Sequence, residues 1–293
     1  MDVVAYGGWN RCARLVSGKL EMIVTLEVGP RVIRFAETGG PNMFVEYPED
    51  MGKTGGDEYR SYGGHRLWIA PEAMPKTYYP DNNPVEVDAE GDWHVFTSPT
   101  ESHLVQKQLR IKAERNGFEI EHRVYNRNAF AINLAPWALT VMAAGGECIF
   151  PQPKYGIHSE NLLPVRPMVM WAYTNMTDPR WTWGRRAVRL KQTENHEPQK
   201  IGAFVKQGLA GYANFGNFYY KRFPCEPAPD YPDFGCNFET YTRHDMLEVE
   251  SLGRLQTIEP DQYAVHVERH HLLTGVTLPK DDEGCGDFLD GLG

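Results

Sequence analysis

The sequence predicts an all-β chain, a sandwich or barrel of many short antiparallel strands. Three observations lead there. Apolar and polar residues alternate with a period of two over several stretches. Such stretches recur about every ten residues, punctuated by Gly, Pro, Asn and Asp. Helix signals, by contrast, are scarce.

The elements follow in order. KLEMIVTLEV (19–28) alternates, and GPRVIRFA (29–36) resumes after a Gly-Pro turn, so the two form a hairpin-like pair. LVQKQLRIKAE and FEIEHRVYN flank an Arg-Asn-Gly turn at 115–117 and are expected to be antiparallel neighbours. AFAINLAPWALTVM (129–142) is more continuously apolar, as a strand buried on both faces requires. Further strands are expected at 186–192, 201–207, 209–214, 217–223, 237–242, 245–251 and 262–272. Segments 40–102 and 150–185 are irregular, rich in Gly, Pro and aromatics, and are expected to supply long functional loops. No linker or repeat divides the chain. Residues 1–277 are expected to form one domain, and the acidic, Gly-rich tail 278–293 to be poorly ordered.

Bulk composition narrows the partners. Of 293 residues, 41% are hydrophobic, enough for a sizeable core. The net charge of −9 argues against nucleic acid or an anionic membrane, both of which need a basic face. No run approaches the roughly 18 apolar residues of a membrane span, and MDVVAYGGWN does not read as a signal peptide. A cytoplasmic location is expected. The five cysteines have no CxxC spacing, so they read as free thiols and not as a zinc ribbon.

One stretch resists the strand pattern. SYGGHRLWIAPE (61–72) reads as too polar for a core strand and too aromatic for an ordinary loop. Together with its surroundings it carries a resemblance. LEMIVTLEVGPRVIRFAETGGPNMFVE resembles the opening hairpins of aldose 1-epimerases, in the galactose mutarotase-like superfamily. YGGHRLWIAPE falls where that superfamily has a Gly-Gly/Arg/Trp loop at its sugar site. INLAPWALTVMAAGG and MLEVESLGRLQTIEPDQYAVHVERHHL resemble its central and closing strands. The likeness runs from about Leu20 to Leu273 and is nearest to a bacterial branch with Gly-Gly-His-Arg-Leu-Trp and Trp-x-Tyr-Thr…Asp-Pro-Arg motifs. It implies one large antiparallel β-sandwich with a sugar site on a concave face. It also implies acid/base chemistry at an anomeric carbon, with no cofactor and no metal.

The family base is a Glu on a late strand, and Glu248 in MLEVES matches it. Alternation puts Glu250 on the same face, and Glu239 one strand earlier approaches it. Neighbouring carboxylates raise one another's pKa, which suits a base. The family acid is a His where this chain has Trp137, a residue that is either core or a stacking platform for a sugar. Candidate replacements are His65, beside Arg66, and His158, with Lys154 and Tyr155 nearby. The His270–His271 pair reads as structural, because adjacent strand residues face opposite ways. Within 61–72, Arg66 offers a fork of donors, Trp68 an apolar wall, and Glu72 an acceptor or a partner for Arg66. Arg166, Trp171, Tyr173 and Arg180 suggest a cationic, aromatic cleft suited to an anionic sugar. Tyr231, Asp233 and Asn237 could reach it.

Three functions therefore stand at this level. The first is a mutarotase-like isomerase acting on a mono- or oligosaccharide. The second is a lyase or hydrolase for acidic sugars on the same fold, and the third a sugar-binding domain without catalysis. The catalytic and binding readings differ in whether Glu248 and a His converge within about one sugar width.

Overall fold

Period-two alternation gives each strand one face for a shared core and one for the outside. In the computed structural model, described for residues 1–226 and 230–292, the strands form two large antiparallel sheets. The first sheet runs, in spatial order, Asp2–Tyr6, Trp9–Ser17, Leu20–Thr25, Arg31–Glu37, Gly64–Ala70, Ile132–Ala143, Met246–Leu252, Phe238–Arg243, Gln199–Ala203 and Met168–Met170. A short strand, Gln256–Ile258, also pairs with Ile132–Ala143. The second sheet runs Trp181–Trp183, Ala187–Lys191, Glu147–Pro151, Leu209–Asn214, Asn217–Arg222, Tyr263–Thr274, Gly117–Asn126, Val105–Glu114, Trp93–Thr97 and Glu86–Glu90. Inner faces of both sheets share one apolar core, in which Phe35, Phe118, Phe150 and Phe238 have no solvent exposure. Each such ring stabilises the fold by about 1.5–3 kcal/mol relative to exposure.

Pro136 sits inside the central strand Ile132–Ala143, where a missing N–H would ordinarily break a ladder. Here it marks a change of partner. Residues 132–134 pair with Gln256–Ile258, and residues 137–143 with Met246–Leu252. The Pro136 carbonyl still accepts from the Gly253 N–H at 2.8 Å.

Two expectations are corrected. Residues 64–70 are not a loop but a strand at the middle of the first sheet, buried along its whole length. Its polar residues are tolerated because alternate side chains enter two different polar environments. His65 faces the interior, and Arg66 the concave outer face. The paired glycines before it are required by geometry. Gly63 and Gly64 have φ of +100° and +73°, and a Cβ on Gly64 would lie 2.3 Å from the Val32 carbonyl oxygen.

The tail is also ordered: Asp282–Asp290 is a helix. Asp281 caps it by accepting from the Gly284 N–H at 2.8 Å, and Asp282 and Glu283 complement the positive end of the helix dipole. Cys285 and Leu289 pack on Ile149 and Phe218 of the second sheet. Arg186 binds Glu283 and Asp290 at 2.6 and 2.8 Å. Gly293 lies outside the described residues. Among the described residues no helix is long and apolar enough to cross a membrane.

Candidate active site

Five adjacent strands of the first sheet present their outward residues as a grid. Register sets its rows. One row runs Trp68, Trp137, Leu252; the next runs Arg66, Leu139, Glu250, Glu239, Gly202; a third runs Val141, Glu248, Tyr241, Lys200. Directly opposed residues in such rows lie within reach of one another. Above the grid opens a cleft of ≈ 370 Å³, room for a monosaccharide. Its walls are aromatic, with Tyr47, Tyr59, Tyr78, Tyr173 and Tyr241 joining the two Trp. Trp68 and Trp137 meet edge to face at 5.5 Å.

Glu248 lies on the floor of this cleft, 8% exposed. Burial pushes its carboxyl pKa up to about 7, and the neighbouring Glu250 adds to the rise. Arg66, Lys200 and Arg243 pull the other way and lose. Its polar partner is Arg66 Nη2, at a long 3.4 Å. Glu248 is thus a carboxylate poised near neutrality and loosely held.

Sequence reasoning missed Lys200, along with Arg243 and the lining tyrosines Tyr47, Tyr59, Tyr78 and Tyr241. The Lys200 ammonium is sandwiched between the Trp137 and Trp171 rings, at 4.8 and 4.6 Å. It lies 2.7 Å from Glu239 Oε2 and 3.5 Å from Glu250 Oε2. Burial alone would lower its pKa, but Glu250 and Glu239 outweigh burial and hold it well above the ordinary value. Burial and the Glu250 charge push Glu239 well above the usual carboxylate range, against the pull of Lys200. Trp137 Nε1 donates to Glu250 Oε2 at 2.8 Å. Trp137 therefore braces the carboxylate that faces Lys200. Gly202 leaves the space that Cys236 occupies, since a Cβ there would lie 2.6 Å from its Sγ. The one signal pointing to Lys200 was QKIGA, a strand with an outward Lys bordered by Gly.

The other expected residues fall into three groups. Arg66, Trp68, Glu72, Trp137, Tyr173 and Glu248 line the cleft. Glu72 accepts from the Tyr78 hydroxyl and not from Arg66. Glu239, Glu250 and Trp171 stand behind Lys200. The rest lie elsewhere. His158, Lys154 and Tyr155 are exposed on the 151–167 loop, and Tyr155 stacks against Arg185. Arg166 is tied to Gln152 and the Pro151 carbonyl. Arg180 is locked in a buried fork with Asp178, at 2.9 and 2.8 Å. The cations that line the cleft are Arg66, Lys200 and Arg243, and Arg166 and Arg180 are not among them. Asn237 also works inside the fold, holding the backbone of Val205.

His65 points away from the cleft, into a polar cluster between the sheets. There His65, His122, His266, His270, Glu268 and Lys221 are at most 2% exposed. Ligand atoms of His65, His122 and Glu268 lie within 4.8 Å of one another, so by residue type this trio could hold a metal. Its proton pattern closes without one. His122 Nδ1 donates to the His266 carbonyl at 3.0 Å, so its Nε2 accepts from His65 Nε2 at 2.8 Å. Thr140 then donates to His65 Nδ1 at 2.9 Å. Tyr219 donates to His270 Nδ1, and His270 Nε2 to Glu268 Oε2, both at 2.9 Å. Lys221 meets Glu268 at 2.5 Å. Burial would raise the Glu268 pKa, but Lys221 and His270 hold it well below the ordinary range. One ammonium already neutralises one carboxylate, so a divalent ion here would leave excess positive charge buried.

No protein-family model matches the chain, and no curated protein matches its sequence. Solved structures do. A TPR-domain containing protein from Parabacteroides distasonis ATCC 8503 is similar at 14% identity and a TM-score of 0.59, covering 92% of this chain and 48% of that one. The chain thus spans about half the length of that relative. A galactose mutarotase-like protein from Lactobacillus casei ATCC 334 is similar at 10% identity and TM-score 0.58, covering 89% of this chain and 100% of that one. A galactose mutarotase related enzyme from Lactobacillus acidophilus gives 8% identity and TM-score 0.56, over 90% and 98%. With the two-sheet topology and the concave site, these likenesses identify the fold as that of the galactose mutarotase-like β-sandwich proteins.

Proposed function

We propose that this chain is a carbohydrate-active enzyme of the aldose 1-epimerase type, interconverting the anomers of an aldose. One observation carries the reading: a buried carboxylate, Glu248, is poised at about 7 on the floor of an aromatic cleft of sugar size. General bases work best when their pKa lies near the operating pH. The fold likeness to galactose mutarotase-like proteins supports the same class.

The chemistry needs a base and a donor on opposite sides of one ring. Glu248 and Lys200 share a row and are separated by the Tyr241 strand. Two strand spacings place their backbones about 10 Å apart, enough for a pyranose between the side chains. Glu248 takes the proton of the anomeric hydroxyl as that oxygen forms a carbonyl. The C1–O5 bond breaks, and Lys200 delivers a proton to O5. Glu239, 2.7 Å from Lys200 and pushed toward its protonated form by burial and Glu250, returns a proton to Lys200. Rotation about C1–C2 and the reverse steps give the other anomer. Two carboxylates in different surroundings thus take different roles. Trp68 and Trp137 offer faces for the apolar side of the ring.

The substrate is a mono- or oligosaccharide, and the poorly paired Arg66 guanidinium in the cleft wall favours one that carries negative charge. NMR of anomer exchange on neutral and acidic sugars tests the reading. Acceleration by wild type that Glu248→Gln lowers about 10²- to 10⁴-fold is the expected result. A folded protein that accelerates exchange of no sugar would refute it and leave the lyase, hydrolase or binding-domain alternatives.

A further inference from the structure

Buried arginines in this chain are well paired, with one exception. Arg31 donates to the Ser61 and Gly63 carbonyls and to Asp81, at 3.0, 2.7 and 2.8 Å. Arg110 holds Glu121 and Glu90 at 2.8 and 2.7 Å. Arg180 holds Asp178 twice, at 2.9 and 2.8 Å, and the Glu197 carbonyl at 2.7 Å. Arg66 is 6% exposed, yet its sole hydrogen bond among the described residues is the 3.4 Å contact to Glu248. Among the described residues its buried Nε has no partner, as is also true of one guanidinium nitrogen in Arg31, Arg110 and Arg180, but only Arg66 lacks a hydrogen bond shorter than 3.4 Å on its remaining nitrogens. A guanidinium out of water with such poor pairing is expensive unless something else pairs it.

Its orientation shows where the missing acceptor belongs. The guanidinium lies over the Trp68 ring at 4.3 Å. Arg66 also lines the cleft. The other two cations there are already neutralised. Lys200 faces the Glu250 carboxylate at 3.5 Å, and Arg243 grips Asp245 at 2.7 and 3.1 Å. One free planar fork remains, and a planar monoanion pairs with such a fork through two parallel hydrogen bonds. A phosphate dianion would ask for more cationic charge than one guanidinium next to Glu248 supplies.

We propose that Arg66 is a carboxylate subsite and that the preferred ligand of this cleft is a sugar carboxylate such as a uronate. The assignment rests on the reading that the cleft binds a sugar. It adds a coupling between binding and chemistry. A ligand carboxylate that takes Arg66 removes the sole hydrogen-bond donor of Glu248 and puts a negative charge beside it. Glu248 then becomes a stronger base only in the complex with the acidic sugar.

Calorimetric titration with glucuronate and galacturonate, and with glucose and galactose, tests the subsite on wild type, Arg66→Lys and Arg66→Gln. Urea melts confirm that each variant is folded. Losing the charge-assisted fork is expected to weaken uronate binding about 10- to 100-fold more than neutral-sugar binding, since Arg66→Lys keeps the charge but loses the fork and Arg66→Gln loses both. In anomer-exchange rates, the acid limb of the pH profile is expected at higher pH with the uronate than with the neutral sugar. Equal affinity for uronate and neutral sugar, or a uronate preference that both variants retain, overturns the subsite. Glucose 6-phosphate binding more tightly than either uronate overturns it in favour of a phosphate site. The outcomes separate the two readings. Glu248-dependent exchange of neutral sugars with no uronate preference sinks the subsite and leaves the epimerase. Arg66-dependent uronate binding with no exchange of any sugar sinks the epimerase and leaves the subsite. Binding of none of these sugars sinks both.

Discussion

Replacing Glu248 by Gln makes the cost of holding a carboxylate in the cleft measurable without any substrate. The folded protein holds this group at about 7, against an ordinary value of 4.5. Between those pH values the folded state binds the proton more tightly than the unfolded state does. Stability is therefore lost as pH rises through this window, and the loss is complete above it. The full shift corresponds to about 3 kcal/mol, of which about 2.5 kcal/mol falls between about pH 5 and about pH 8. Buried His122 and His266 act with the opposite sign. Burial lowers them to about 4 and about 3, so their contribution is lost as pH falls from 6.5. The measurement is therefore a difference: urea unfolding of wild type and Glu248→Gln at both pH values. The histidine contributions cancel, and the variant should gain about 2.5 kcal/mol on the wild type between the two. A pH-independent difference, or one of opposite sign, would show that Glu248 is an ordinary carboxylate and remove the argument for it as a base.

Other expected outcomes follow from single contacts. Lys200→Arg keeps the charge facing Glu239 and Glu250 but cannot release a proton; anomer exchange should fall about 10²-fold or more with urea stability little changed, and unaltered rates would exclude Lys200 as the donor. Gly64→Ala puts a Cβ 2.3 Å from the Val32 carbonyl at φ +73°; a loss of at least about 2 kcal/mol is expected by denaturant titration, and a change near zero would contradict the strand geometry. Lys221→Met leaves Glu268 buried without its ammonium; a loss of about 3–5 kcal/mol is expected, and a stable variant would mean that the cluster is not charge-paired as described.

Much of the architecture could be read from the chain. The strand at 262–272 was visible because it alternates strongly, and those at 209–214 and 217–223 because they are short, aromatic-bearing runs bounded by turn residues. The Gly64–Ala70 strand was not, and the reason is physical. Alternation predicts a strand when one face is apolar and the other polar, whereas here both faces contain polar groups, one set in the cleft and one in the interior cluster. The tail helix was hidden by its glycines and acids. Its Asp281-Asp282-Glu283 start is a capping signal, yet its stability comes from Ile149, Phe218 and Arg186, which are distant in sequence.

The candidate site divides the same way. Alternation in MLEVES put Glu248 and Glu250 on one face, and the run around residue 66 made Arg66 and Trp68 candidates. These readings rest on neighbours along one strand, a distance over which side-chain direction is set by the backbone itself. Cross-strand register lies beyond such reasoning. It decided that Lys200 sits one row-neighbour from Tyr241 and faces two carboxylates, while Arg166 and Arg180 turn to other work. It decided that His65 belongs to the interior and Arg66 to the cleft. The sequence alone determined which side chains of a strand share a face. Only the tertiary structure decided which strands lie side by side, because pairing is set by the summed burial of two whole sheets.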